Sequence, residues 1–386
     1  MTTENEVRMK KQIAILTQPL GENYGGIIQN YALQQFLIKQ GFEVMTINRV
    51  ADHPHSRLKI LASKFKSTVK RRLLRLRDPK LLSYETVTKN NQRFMRDYMA
   101  VSPVIDSTPS IIRYFSTKRF DLVIVGSDQV WRPRYSQNIF NFYLDFLEND
   151  AQIKKIAYAA SFGTDEWEYT KDDEVRCSEL LQLFDGISVR ENSGVLLCEK
   201  FLNRDDAVNV IDPTLLLEPA DYNILIKDLP KKQGLFTYIL DRSAESTAFV
   251  NSCSKTLNLE IFTNQLKYKT DFYGSTVKAD YIIPPITGWL QGFRDADFIL
   301  TDSFHGSIFS ILNRKLFFAV VNKGRGASRF ESIFKQLGLQ DRLIYDVNSF
   351  DLVNLNKKID YETVYSKLAK LKDESVKFLK HYLSQL

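Results

Sequence analysis

No apolar run in this chain of 386 residues approaches the roughly 20 that a membrane-spanning helix needs, so no spanning segment is expected. Cysteine is sparse. Cys177, Cys198 and Cys253 are odd in number and share no CxxC spacing, which argues against a disulfide framework and a zinc knuckle and leaves buried, reduced thiols as the expectation. Histidine is scarce too, with four in the whole chain. His53 and His55 lie in a polar stretch with no carboxylate or cysteine cluster, and His381 falls in a terminal helical pattern, so no metal site is expected. The first residues, MTTENE, are polar and acidic and lack a secretory apolar core, and the expected location is the cytosol.

Residues 57–77 lack acidic side chains altogether and hold nine basic ones. The formal charge of +7 therefore comes from this one stretch, and the remainder of the chain carries −2. With no basic field elsewhere and no motif for base stacking or groove reading, nucleic acid is not an expected partner. Placed on a helix, Leu58, Leu61, Ala62, Phe65, Val69, Leu73 and Leu76 form one stripe, with every cation except Arg72 to the flanks or behind. Two readings fit: an interfacial helix drawn to anionic lipid on the inner face of the plasma membrane, or a helix that packs its stripe on the protein and leaves its cations in water. On the first, the full chain floats with anionic vesicles and loses that binding when 57–77 are deleted. Binding that survives the deletion assigns the segment to the second.

What is present is enough for substantial cores, at 44% hydrophobic and 12% aromatic residues, and the length suits two domains. Residues 11–17 (KQIAILT) form a short apolar run, followed by a Gly- and Asn-rich loop, a helical pattern over 27–40 and a second apolar run at 42–47, which together make a βαβ unit. The same grammar recurs at 120–125, 155–160, 186–189 and 208–211. A hinge-like stretch at 229–234 (LPKKQG) precedes a second series of strands at 235–240, 259–263, 298–301 and 316–321. The expected fold class is α/β, with two Rossmann-like doubly wound domains facing a cleft, residues 1–230 and 231–386. The 57–77 segment is an insert in the first domain. The helical spacing of Leu368, Leu371, Val376, Leu379 and Leu383 predicts a last helix packing back toward the first domain.

Ligands of such folds sit beyond the carboxyl ends of the strands, so the strand-end turns carry the candidates. Residues 21–26 (GENYGG) join the first strand to the first helix. They offer either close backbone approach and helix N–H groups to an anion or sugar hydroxyl, or only turn geometry. In 125–131 (VGSDQVW), Ser127 and Asp128 fall at a strand tip. Asp128 can accept from substrate hydroxyls or act as a base, and can equally be a helix cap; Trp131 offers an apolar face to a sugar ring. Arg190, in 188–194 (SVRENSG), suits a carboxylate or phosphate, or forms a salt bridge within the protein. Residues 321–330 (VNKGRGASRF) gather Lys323, Arg325 and Arg329, as a phosphate site or a solvated basic loop. The strongest local pattern is 299–307 (ILTDSFHGS), an apolar strand giving way to a helix with His305 at the junction. Histidine passes protons in both directions near neutrality, though such a turn can also hold a structural histidine.

Taken together, residues 23–33 (NYGGIIQNYAL), 125–131, 159–163 (AASFG), 188–194, 212–214 (DPT) and 301–306 (TDSFHG) resemble the polysaccharide pyruvyl transferase family, through most of the chain. The resemblance implies a fold like that of the two-domain GT-B glycosyltransferases, phosphoenolpyruvate as donor, and as acceptor a sugar of a surface glycan, often lipid-linked, with a cyclic pyruvate ketal as product. No cofactor is implied, phosphoenolpyruvate being a co-substrate. One departure stands out: the family has an arginine two residues before the active-site histidine, where this chain has Ser303. The expected assignment makes His305 the proton donor, with Asp128 beside it as a catalytic candidate. Arg190, Ser303, Lys323, Arg325 and Arg329 hold the donor; Asn23, Gly25, Gly26, Ser127, Asp128 and Trp131 hold the acceptor. Two alternatives remain: a GT-B glycosyltransferase using a nucleotide sugar, and a glycan-binding protein without catalysis.

Overall fold

The computed structural model describes residues 10–50, 83–136, 138–267, 278–322 and 326–386. The basic segment at 57–77, Lys323 and Arg325 thus lie outside the described residues.

The first sheet is built from β1 (Gln12–Leu16), β2 (Glu43–Ile47), β3 (Leu122–Val125), β4 (Lys154–Ala160), β5 (Gly186–Val189) and β6 (Val208–Asn209), in the order β2-β1-β3-β4-β5-β6. The second holds β7 (Leu235–Tyr238), β8 (Ile261–Thr263), β9 (Phe298–Thr301), β10 (Leu316–Val320) and β11 (Leu343–Ile344), in the order β11-β10-β9-β7-β8. Every pairing in both sheets is parallel. Alternate residues feed opposite faces: Ile13 and Ile15 enter one core while Ala14 and Leu16 enter another, and Leu122 and Ile124 part from Val123 and Val125 in the same way. Burial on both faces is why these strands appear in the sequence as unbroken apolar runs.

Helices α1 (Tyr24–Lys39), α2 (Tyr84–Tyr98), α3 (Thr108–Thr117), α4 (Lys171–Leu181), α5 (Asn192–Leu202) and α6 (Pro219–Asn223) accompany the first sheet. With the second run α7 (Ala244–Leu257), α8 (Ile286–Asp295), α9 (Phe304–Leu312) and α10 (Ala327–Leu337), and α11 (Tyr361–Leu383) ends the chain. Helix α1 is buried almost all round, as befits a helix held between layers. Two of its polar residues find partners inside: Gln34 hydrogen-bonds with both backbone groups of Ala100, and Thr46 Oγ1 donates to Asn30 Oδ1. One apolar cluster joins α1 and the first sheet to Trp289, Phe293 and Phe309 of α8 and α9 and to Phe236 and Phe317 of the second sheet. Helix α11 crosses back to the first sheet, where Ser375 Oγ accepts from Ile211 N and Phe378 packs on Tyr158.

All three cysteines are free and buried, and burial pushes their thiols well above the ordinary range, which makes them poor nucleophiles.

Candidate active site

The turn after β9 is locked to the tip of β7. Thr301 Oγ1 donates to the carbonyl of Tyr238 (2.8 Å) and accepts from Ser303 N, while the Asp302 carboxylate accepts from the backbone N–H groups of Leu240 (2.7 Å) and Asp241 (2.8 Å). Ser303 caps α9, its hydroxyl accepting from Gly306 N. Only glycine fits at 306, because a Cβ there would lie 2.3 Å from Thr301 Oγ1. These constraints set His305 in the first turn of α9, at the ends of both sheets.

The first half of the chain supplies what the ring meets. Gly25, at the start of α1, lies so close that a Cβ would stand 2.2 Å from His305 Nδ1. The other ring nitrogen, Nε2, faces Asp212 Oδ2 at 3.4 Å, an ionic contact whose geometry falls short of a hydrogen bond. Asp212, beyond β6, is fixed by Thr214, whose N–H and hydroxyl both donate to Oδ1, and its Oδ2 accepts from Arg190 NH1 at 2.6 Å. Arg190 then reaches Asp128 Oδ1 through NH2 at 3.1 Å, and Arg329 of α10 approaches the same oxygen at 3.6 Å. Both guanidinium groups lie over the Phe304 ring, at 4.7 and 5.4 Å.

Burial would push the Asp212 carboxyl up, but the adjoining His305 and Arg190 and the Thr214 N–H outweigh it and hold it well below the usual carboxylate range. The balance at Asp128 is similar: Arg190, His305 and Arg329 overcome desolvation and keep it low. Arg329 is pulled down to about 10, by burial and then by the like charge of Arg190. Glu191 goes the other way, raised by burial although its Oε1 accepts from Ser161 and from the N–H groups of Phe162 and Gly163.

Above this cluster opens a cavity of about 560 Å³, lined from the first half by Asn23 and Asp128 and from the second by Ser303, Phe304, His305 and Arg329. The N-terminal ends of α1, α9 and α10 all reach it, and together with Arg329 they offer an anion its partners on one side, while the carboxylates of Glu22, Asp128 and Asp302 line the rest. Five of the residues picked out in the sequence therefore line one space, and Gly25 touches the His305 ring.

Others fall elsewhere. Trp131 is wholly buried, stacked on Tyr143, with Nε1 donating to Phe142 O, so its face belongs to the core and offers nothing to a sugar. Ser127 is also wholly buried, its hydroxyl donating to Ala159 O. Arg190 does not line the cavity; it lies beneath, with both terminal nitrogens on carboxylates, and neither carboxylate is the adjacent Glu191. Gly26 is a helix residue whose carbonyl accepts from Gln29. Asn23 caps α1 through Gly25 N and also borders the cavity. The sequence marks Asp212 only as part of the 212–214 motif, and its place against His305 has no sequence signal. Nor have the cavity positions of Gln18, Glu22, Gln129, Tyr135 and Tyr238 beyond their nearness to strand ends. Among the described residues no group of His, Cys, Asp and Glu could hold a metal ion, and no helix is long and apolar enough to cross a membrane.

A model of the family described as polysaccharide pyruvyl transferase matches residues 23–324. No curated protein is significantly similar to the chain. Among solved structures, Arabidopsis thaliana UGT89C1 complexed with UDP-L-rhamnose is similar at 11% identity, covering 98% of this chain and 99% of that one, with a TM-score of 0.54. The S. aureus MnaA–UDP structure is similar at 15% identity over 98% of each chain, with a TM-score of 0.49. At such identities the likeness concerns the fold alone, and that fold is the two-sheet GT-B arrangement.

Proposed function

The chain belongs to the polysaccharide pyruvyl transferase family, and from that premise we propose that it moves a pyruvyl group from phosphoenolpyruvate to a sugar of a surface polysaccharide or its lipid-linked precursor, closing a cyclic ketal. The observation that supports this reading is the His305 ring set against the Asp212 carboxylate in a cavity that Arg329 also borders.

His305 gives a proton to the methylene carbon of phosphoenolpyruvate, and C2 takes on oxocarbenium character. One acceptor hydroxyl attacks C2; the C2–O bond to phosphate breaks, phosphate leaving with the electron pair, and a second hydroxyl closes the ring. The protons lost by the two hydroxyls return to His305 or to phosphate. Asp212 is a positioning residue: its carboxylate, anchored by Thr214 and Arg190, orients the ring through Nε2. This leaves Nδ1 toward the start of α1, where Gly25 makes room. Asp128, held low by two arginines, is a weak base; it suits accepting a hydrogen bond from the acceptor diol rather than removing a proton.

Arg329 is the described cation that borders the cavity, and it stands in for the arginine absent at 303. A guanidinium pulled down by burial and then by a like charge gains when an anion arrives, so donor binding and relief of the Arg190–Arg329 repulsion reinforce each other. Phosphoenolpyruvate at about 100 times its dissociation constant is expected to stabilise the fold by about 2.7 kcal/mol, seen as a raised melting temperature. Arg329→Met removes most of that shift. Stabilisation by nucleotide sugars and not by phosphoenolpyruvate would replace this reading with glycosyl transfer.

A further inference from the structure

A second cavity, of about 370 Å³, opens at the carboxyl ends of the second sheet. Asp302 lines both cavities, and its carboxylate, bound to the N–H groups of Leu240 and Asp241, forms the partition between them. Carboxylates line both cavities, but among the described residues the second has no counterpart to Arg329. Its described lining includes Asp241, Glu245 and Asp346 besides Asp302, and no lysine or arginine. The rest is neutral hydrogen-bonding groups such as Ser246 and Asn348 over an apolar floor that includes Leu300 and Val320.

Such a lining disfavours phosphate and carboxylate, since among the described residues it holds four carboxylates and no side-chain cation to pair a further anion in partly desolvated space. It suits a hydroxyl-rich neutral ring. Carboxylates and amide oxygens accept from hydroxyls, while the apolar face of a pyranose rests on aromatic or aliphatic surface. The aromatic surface is in place. Tyr345, at the end of β11, leaves 53% of its surface bare, yet its hydroxyl is tied to Glu331 Oε1 of α10 at 3.1 Å, so the ring is held rather than free to swing. A fixed, exposed ring at the mouth of a cavity is a preorganised platform.

We propose that this cavity is a subsite for an uncharged sugar unit of the acceptor glycan, next to the one that receives the pyruvyl group, with Tyr345 as its platform. The proposal rests on the reading of the first cavity as the donor site. Donor and acceptor are thereby sorted by charge, since the anionic donor is drawn to Arg329 and repelled from the space behind Asp302.

Saturation-transfer NMR with methyl glucoside, methyl galactoside, methyl mannoside, cellobiose and lactose tests it, with UDP and inorganic phosphate as anionic controls. Two variants at exposed rim positions leave the core alone: Tyr345→Ala removes the platform and Asn348→Trp fills the cavity. At least one sugar is expected to receive saturation in the native protein, and the transfer to fall at least about fivefold in both variants while the melting shift with phosphoenolpyruvate stays unchanged. Three results would overturn the proposal: transfer to none of the sugars, transfer unaffected by either variant, or UDP or phosphate binding that Asn348→Trp abolishes. A sugar signal that depends on Tyr345 and Asn348 without any phosphoenolpyruvate shift would leave the subsite standing and reject the donor reading alone.

Discussion

His305→Ala is expected to fold normally and to lose turnover by about 100-fold or more, the usual size of a general acid–base contribution. Folding should survive because Asp212, which the ring faces, keeps Arg190 and both Thr214 donors. Steady-state kinetics with phosphoenolpyruvate and a competent acceptor reads the loss, which should fall on kcat with little change in KM for the donor, since Arg329 remains to hold the anion. Gly25→Ala provides an independent route to the same point. Alanine is favoured over glycine in a helix by roughly 1 kcal/mol, so this change should not weaken α1 by itself. Its methyl would nonetheless stand 2.2 Å from Nδ1 and push the ring off its bearing on Asp212. Turnover lost with melting temperature kept would mark a displaced acid rather than a damaged fold. Near-native turnover in His305→Ala would remove the histidine from the chemistry.

How far the sequence could lead is shown by the turn at 126–131. The strand before it was legible because a parallel strand buried on both faces is an unbroken apolar run. Where the strand stops, alternation stops being a guide. Gly126 (φ 120°) and Asp128 (φ 79°) both take positive φ, so side chains past the strand no longer follow its rhythm, and Ser127 and Trp131 turn inward while Asp128 faces the cavity's cluster. Arg190 was visible as a cation at a strand end, but its partners lie 62 and 22 residues away, and only the packing of β3, β5 and β6 brings them together. Strand β11 escaped notice because two residues carry no periodicity. His305 and Arg329 can be picked out because each lies in the first turn of a helix that follows a strand of the second sheet, where the side chain itself, rather than its partners, announces the chemistry. What the sequence withheld was the pairing, and pairing is a property of the fold.

That pairing makes Arg190 the position where stability should suffer most. Arg190→Leu is expected to cost about 3–5 kcal/mol, because it leaves two buried carboxylates without the cation between them. The pH dependence separates this from a simple packing loss. In the native protein Asp128 and Asp212 titrate below the ordinary carboxylate range, so their stabilisation is present above about pH 4 and fades as the pH falls toward their folded values. Without Arg190 the carboxyls lose part of what holds them low, although His305 and the Thr214 N–H remain beside Asp212 and His305 and Arg329 near Asp128, so both move upward and less of that stabilisation is left. The deficit in urea midpoint should therefore be smallest at the acid end and widen as the pH rises. A deficit independent of pH would mean that the cation is not what holds the carboxylates. If Arg190 instead held the donor directly, the variant would keep its stability and show a raised KM for phosphoenolpyruvate. Burial beneath the cavity, with both terminal nitrogens already on carboxylates, argues for the first outcome: Arg190 holds Asp212 in place, and Asp212 orients His305.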